Sequence, residues 1–223
     1  RSTPLYSSAA SDVYKRQIWS SSETTLPKDK SKDEFDKNPV LNRFKHQLET
    51  SGIKIKKTMF PDFNWACSNI ENIKKKFDLN KYIVLFPFCS PHLTIKKWPY
   101  YNELIELIKK KFEDEYQIVV APGPKEIDMT KEINAIPILN ENKSLNIQEL
   151  ASLIKNSTFV ISNDTGPAHM TSHLGVKGVA LFGSHTTAHK VSIERENFKA
   201  IQVTDLNKLS PEKVFEYFLQ SLN

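Results

Sequence analysis

No stretch of this 223-residue sequence reaches the roughly 18 consecutive apolar residues that a membrane-spanning helix needs, and none has the charged-then-apolar layout of an export signal. The expectation is a cytoplasmic protein. Cysteine is nearly absent: Cys67 and Cys89 stand apart with no CxxC, which excludes a disulfide framework and a zinc knuckle. Arginine is also scarce, at positions 1, 16, 43 and 195 only. The net charge of +5 and isoelectric point near 9.0 therefore come from lysines scattered among Glu and Asp. That is the composition of a solvated surface, not of a nucleic-acid reader built on Arg forks. The stretch FPFCSPH, which follows an apolar run, contains no glycine, so a dinucleotide fingerprint is excluded, and no P-loop occurs. There is no repeat of fixed period. An apolar fraction of 39% over 223 residues is enough for one sizeable domain or two small ones.

What is present divides the chain unevenly. Residues 1–17, RSTPLYSSAASDVYKRQ, are Ser-rich, without periodicity, and look like translated adapter sequence; they carry no fold information. Residues 18–38 are polar and charged and predict a flexible remnant, as expected of a reading frame that begins within a gene. Residues 39–80 read as a helical linker: Val40, Leu41, Phe44 and Leu48 form a stripe ended by Gly52, and Ser68 is placed to cap a second short helix through Lys76. From 81 to 223 apolar runs alternate with helical patterns. Strands are predicted at 82–88, 117–122, 135–139, 158–162, 177–183 and 200–203. Helices are predicted at 99–112, 125–133, 146–157, 167–174 and, capped by Ser210, near the C-terminus. Strands apolar on both faces and interleaved with helices imply an α/β fold, a Rossmann-like parallel sheet with helices on both faces.

In such sheets ligands bind where strand C-terminal ends meet helix N-termini. One such junction is Asn163-Asp164-Thr165-Gly166-Pro167. Pro167 suits the first helical position, which makes Gly166 the expected N-cap and leaves first-turn N–H groups open to an anion. Thr165 adds a hydroxyl, His169 lies on the same turn, and Asp164 suits sugar hydroxyls or capping N–H groups. A plain helix start satisfies the same residues. A second junction carries Lys96 and Lys97, point charges suited to phosphate, and a third turns at Pro122-Gly123-Pro124 with Glu126 placed for ribose hydroxyls or for a helix start. The spacings His169/His173 and His185/His189 match helical metal ligands, but residue 170 is Met and not the Glu of a zinc hydrolase; no metal is expected.

In this order, PFCSPHLTIKKWPYYNELIELI, VVAPGPKE and above all ISNDTGPAHMTSHLGVKGVALFG resemble the donor-binding C-terminal domain of glycosyltransferase family 9, the lipopolysaccharide heptosyltransferases. The likeness runs from about Pro39 to the C-terminus, with PDFNWACSNI resembling the segment that leads into that domain. It implies the C-terminal half of a GT-B glycosyltransferase and an inverting, metal-independent transfer, without a cofactor, from an ADP-heptose to a lipopolysaccharide core or lipid A type acceptor. Residues 81–223 would be the nucleotide-sugar-binding domain. Asn163, Asp164, Thr165, Gly166 and His169 would hold the sugar and diphosphate, with Ser90, Lys96 and Lys97 on the diphosphate and Glu126 on the ribose. The general base, and any contact with the inner face of the inner membrane, would lie in the N-terminal domain, so the chain alone would bind without turning over. Two departures stand out: Pro87-Phe88 where the family has Pro-Gly, and SHTTAHK at 184–190 where it has Gly-Pro-Thr. A UDP or GDP sugar, or a domain that only binds an anionic metabolite, are the alternatives.

Overall fold

In a computed structural model of the chain, residue 21 and residues 24–222 are described, so the expectations for residues 1–17 lie outside the described residues. Two compact units are present, one ending at Met59 and one beginning at Phe60. The boundary divides the segment 39–80 between them.

In the first unit the polar segment before residue 38 is not featureless. Helix α1 (Lys32–Asp36) starts with a capping box in which Ser31 Oγ accepts from the Glu34 N–H and the Glu34 carboxylate accepts from the Ser31 N–H. It buries Phe35, whose ring meets His46 edge-on at 5.3 Å. Helix α2 (Val40–Thr50) follows, held to α1 by the pair Arg43–Asp36 at 2.9 Å. Gly52, at φ +78°, ends it in a conformation that favours glycine.

The second unit opens with helix α3 (Glu71–Phe77), whose N-cap is Ile70. Ser68 is not its cap. The Ser68 backbone instead exchanges two 2.7 Å hydrogen bonds with the buried Ser152 hydroxyl, 84 positions away. Strand β1 (Tyr82–Phe86), helix α4 (Tyr101–Phe112), β2 (Gln117–Val120), β3 (Ile136–Pro137), α5 (Ile147–Lys155), β4 (Phe159–Asn163), α6 (Gly166–Leu174), β5 (Gly178–Phe182), α7 (Ala188–Val191), β6 (Phe198–Gln202) and α8 (Pro211–Leu222) follow in order. The helix expected at 125–133 is a turn followed by a 3-10 segment, Asp128–Glu132. The strand expected at 135–139 shrinks to two residues because it lies at the sheet edge and Pro137 has no N–H to extend the ladder.

All strand pairs are parallel, in the order β3-β2-β1-β4-β5-β6. Strand residues alternate between two cores, as the two-residue period requires. Tyr82, Val84, Phe86 and Val160 face α3, α5 and α6; Ile83, Leu85, Phe159, Ile161, Val179 and Leu181 face α4 and α8. Strand β5 approaches its neighbours so closely that a Cβ on Gly178 would lie 2.6 Å from the Val160 carbonyl and 2.9 Å from the Phe198 ring. Only glycine fits there. Among the described residues no helix is long and apolar enough to cross a membrane.

Candidate functional site

After β1 the chain passes to α4 on one face of the sheet, and after the adjacent β4 it passes to α6 on the other. The two connections diverge, and a crevice opens between them at the strand C-termini. Asn163, the last residue of β4, ties the crevice together. Its Nδ2 donates to the Pro87 carbonyl at 2.8 Å, and its Oδ1 accepts from the Trp98 N–H at 3.3 Å and the Tyr101 hydroxyl at 3.2 Å. Its side chain is 0% exposed, so Asn163 is a structural brace and not the ligand contact expected from the sequence. Trp98, fully buried, also donates through Nε1 to the Leu209 carbonyl at 2.8 Å, which fixes the end of the loop that carries Lys96.

The next residue is the centre of the site. Asp164 is 4% exposed, and its Oδ2 accepts from Lys96 Nζ at 2.7 Å and from His185 Nε2 at 2.9 Å; His169 Nε2 lies 3.7 Å from Oδ1. Burial by itself opposes ionisation of the Asp164 carboxyl. The nearby His169 ring, the hydrogen bonds from Lys96 and His185 and the charge of Lys96 outweigh it and hold the group well below the usual carboxylate range. Asp164 is therefore an anion with charged and polar partners already in place, and Lys96 meets a carboxylate in this state.

Helix α6 begins one residue earlier than expected. Thr165 is extended (φ −143°, ψ 173°) and is the N-cap, Gly166 is the first helical residue and Pro167 the second. No side chain caps this end. The Ala168 and His169 N–H groups turn back to the Thr165 carbonyl at 3.1 and 3.4 Å, so the donor left open in the first turn is the exposed Gly166 N–H. A Cβ on Gly166 would meet nothing within 4 Å, which makes this the unobstructed, positive end of a nine-residue helix.

A cavity of about 310 Å³ lies beside it, between the ends of β1, β2 and α6, with Phe88, Ser90, Glu126, Leu145, Leu150 and Thr165 in its wall. It is continuous, through Phe88, Ser90 and Glu126, with a wider cleft that reaches Lys97 and Met129. Glu126 Oε2 accepts from the Gly123 N–H at 2.7 Å and closes the Pro122-Gly123-Pro124 turn, so one of its carboxylate oxygens is engaged by the chain itself. Ser90 is exposed at the head of the 3-10 segment Pro91–Lys96. The two adjacent lysines part company: Lys96 turns to Asp164, while Lys97 is exposed and lines the cleft.

The structure thus brings Lys96, Asp164, Thr165, Gly166 and His169 to one point, with Ser90 and Glu126 across the cavity and Lys97 at its margin. His185 is the site residue that sequence reasoning missed. It precedes α7, so its helical spacing to His189 is not realised; His189 is exposed, and His185 turns inward beside Phe182, ring centroids 6.0 Å apart and planes at 9°. The other spaced pair, His169 and His173, does lie on one helix, but His169 faces Asp164 while His173 is buried further along. His173, at the far end of α6, is pushed down to about 4 by burial and by the nearby positive charge of Arg195 and His169. Among the described residues no three His, Cys, Asp or Glu side chains converge as metal ligands.

Residues 15–213 match the sequence pattern of glycosyltransferase family 9 (heptosyltransferase). Among solved structures, the chain is similar to E. coli heptosyltransferase WaaC with ADP, at 18% identity and a TM-score of 0.61 over 88% of this chain and 58% of that one. It is also similar to E. coli ADP-heptose lps heptosyltransferase II (18%, TM-score 0.57, 76% and 53%) and to a family 9 glycosyl transferase from Veillonella parvula DSM 2008 (18%, TM-score 0.59, 81% and 58%). The chain spans a little over half the length of these structures. No curated protein matches it in sequence.

Proposed function

Because this chain belongs to glycosyltransferase family 9, we propose that its crevice binds the nucleotide-sugar donor of a heptosyl-type transfer, an ADP-heptose, for delivery to a lipopolysaccharide core or lipid A type acceptor. One observation carries the reading: at the sheet's switch point a buried carboxylate, a lysine and an uncapped helix start converge beside a cavity of about 310 Å³. The base is assigned to the apolar part of that cavity, against Leu145 and Leu150, and the ribose to the side of Glu126. The diphosphate meets the Gly166 N–H, the positive end of α6, Lys96 and His169. Charge that develops on the departing diphosphate is stabilised by fixed donors and a cation rather than by a divalent ion. The ADP complex of the similar E. coli WaaC structure supports the choice of nucleotide.

Calorimetric titration of the chain with ADP, UDP and GDP tests this reading. ADP is expected to bind selectively, and Lys96→Ala to weaken it by about 1–3 kcal/mol, the scale of a charge-assisted contact. Preference for UDP or GDP would reassign the donor, and no binding at millimolar ligand by the folded chain would reduce the site to a helix start.

We assign the general base that deprotonates the acceptor hydroxyl to a part of the family fold that these residues do not provide. The expected result is ligand binding without turnover. Sugar transfer by the chain alone, followed with a radiolabelled donor and a lipid A acceptor, would contradict that assignment.

A further inference from the structure

The same carboxylate oxygen of Asp164 serves two donors, Lys96 at 2.7 Å and His185 at 2.9 Å. Only one of them is placed to leave. Lys96 sits on the rim of the crevice with 21% of its side chain exposed, whereas His185 is 9% exposed, packed beside the buried Phe182 ring. His185 Nδ1 is buried and has no hydrogen-bond partner among the described residues. An ionised Asp164 only accepts hydrogen bonds, so Nε2 must carry the proton, and a bare Nδ1 avoids burying an unmatched N–H. His185 is thus a fixed donor with a single acceptor.

This matters because a diphosphate at the start of α6 and Asp164 compete for Lys96. If the lysine were the only close partner of Asp164, its departure would leave a buried carboxylate without a strong donor, which is costly. We infer that His185 is a positioning residue that keeps Asp164 partnered and oriented while Lys96 exchanges its carboxylate for the diphosphate of the donor. The role rests on the nucleotide-sugar reading given above, and it attaches a function to the loop at 184–190, which departs from the family's Gly-Pro-Thr pattern.

The test is calorimetric titration of the full chain with ADP, combined with a double-mutant cycle. His185→Ala is expected to weaken ADP about tenfold in the native background and less than twofold in a Lys96→Ala background, where there is no lysine to release. His185→Gln, whose terminal amide can donate from the position of Nε2, is expected to restore affinity to within about threefold of the native chain. His185→Asn, whose amide ends near the position of Nδ1, is the second loss variant should His185→Ala fail to fold. Equal losses in both backgrounds, no rescue by His185→Gln, or less than a twofold effect in the native background would overturn the inference alone. A folded native chain that does not bind ADP would overturn the nucleotide reading, and the exchange with it.

Discussion

Asp164→Asn is expected to lower the stability of the second unit by about 3 kcal/mol at neutral pH, the scale of removing one partner from a buried ion pair. The amide keeps the shape of the side chain but not its charge. Lys96 Nζ and His185 Nε2 both donate to Oδ2, so an amide oxygen placed there leaves both with a neutral acceptor, and an amide nitrogen placed there opposes donor with donor. Burial disfavours the ionised Asp164, but the nearby His169 and the hydrogen bonds from Lys96 and His185 more than compensate and depress its folded-state titration below the ordinary value of 3.8. A group depressed in this way contributes stability that is fully present above the unfolded-state value and is lost as pH falls toward the folded one. The difference between native chain and variant should therefore be constant from neutral pH down to about 5 and shrink below about 4.

His173 acts in a different window. Its folded-state titration is lowered from 6.5 to about 4, so the folded chain binds fewer protons than the unfolded one between those values, and stability declines as pH falls through that interval. That decline belongs to both proteins and cancels in the difference. Urea unfolding followed by tryptophan fluorescence, to which the buried Trp98 contributes, from pH 7 to pH 3, separates the two contributions. A native-minus-variant difference that does not change with pH would show that the ionised carboxylate of Asp164 is not the source of the stabilisation.

The second large effect is expected from a residue with no access to ligand. Asn163→Ala should cost about 3 kcal/mol, because it leaves the Pro87 carbonyl and the Trp98 N–H without their partner at a fully buried position. Tyr101 keeps its 3.2 Å bond to the Phe86 carbonyl and should contribute little of the loss. The same change removes the Asn163 bonds at both ends of the loop that carries Ser90 and Lys96, so ADP affinity should fall as well although the side chain touches no ligand. Unfolding measurements and calorimetry on the one variant check both parts. A cost below about 1 kcal/mol would mean that the loop is held by Trp98 and its bond to Leu209 rather than by Asn163.

Much of the fold was legible because its strands are buried on both faces. YIVLF, FVISN and GVALF have no polar face to solvate, so a continuous apolar run was enough to mark each as an inner strand. Where the reading missed, a contact distant in sequence or a special backbone decided. Ser68 looks like a cap in isolation but is engaged by Ser152, which folding brings beside it. The residues from 125 to 133 have helical spacing, yet the Pro122-Gly123-Pro124 turn, closed by Glu126, diverts the chain before a full helix can start.

Local pattern alone specifies a parallel α/β chain with its polar, chemistry-bearing residues at the strand-to-helix junctions, because strand burial and helix starts are set by neighbouring residues. It also specifies that Lys96, Asp164 and the start of α6 share one sheet edge, because every parallel strand ends on the same side. What these residues do to one another is set by long-range packing. Whether Asn163 is a ligand contact or a brace, whether Lys96 faces solvent or a carboxylate, and whether His185 pairs with His189 or with Asp164 depend on loops 21 to 76 positions apart being packed within hydrogen-bond distance. Such contacts carry no period along the chain, since side-chain direction in a loop is fixed by what it packs against and not by the residues beside it.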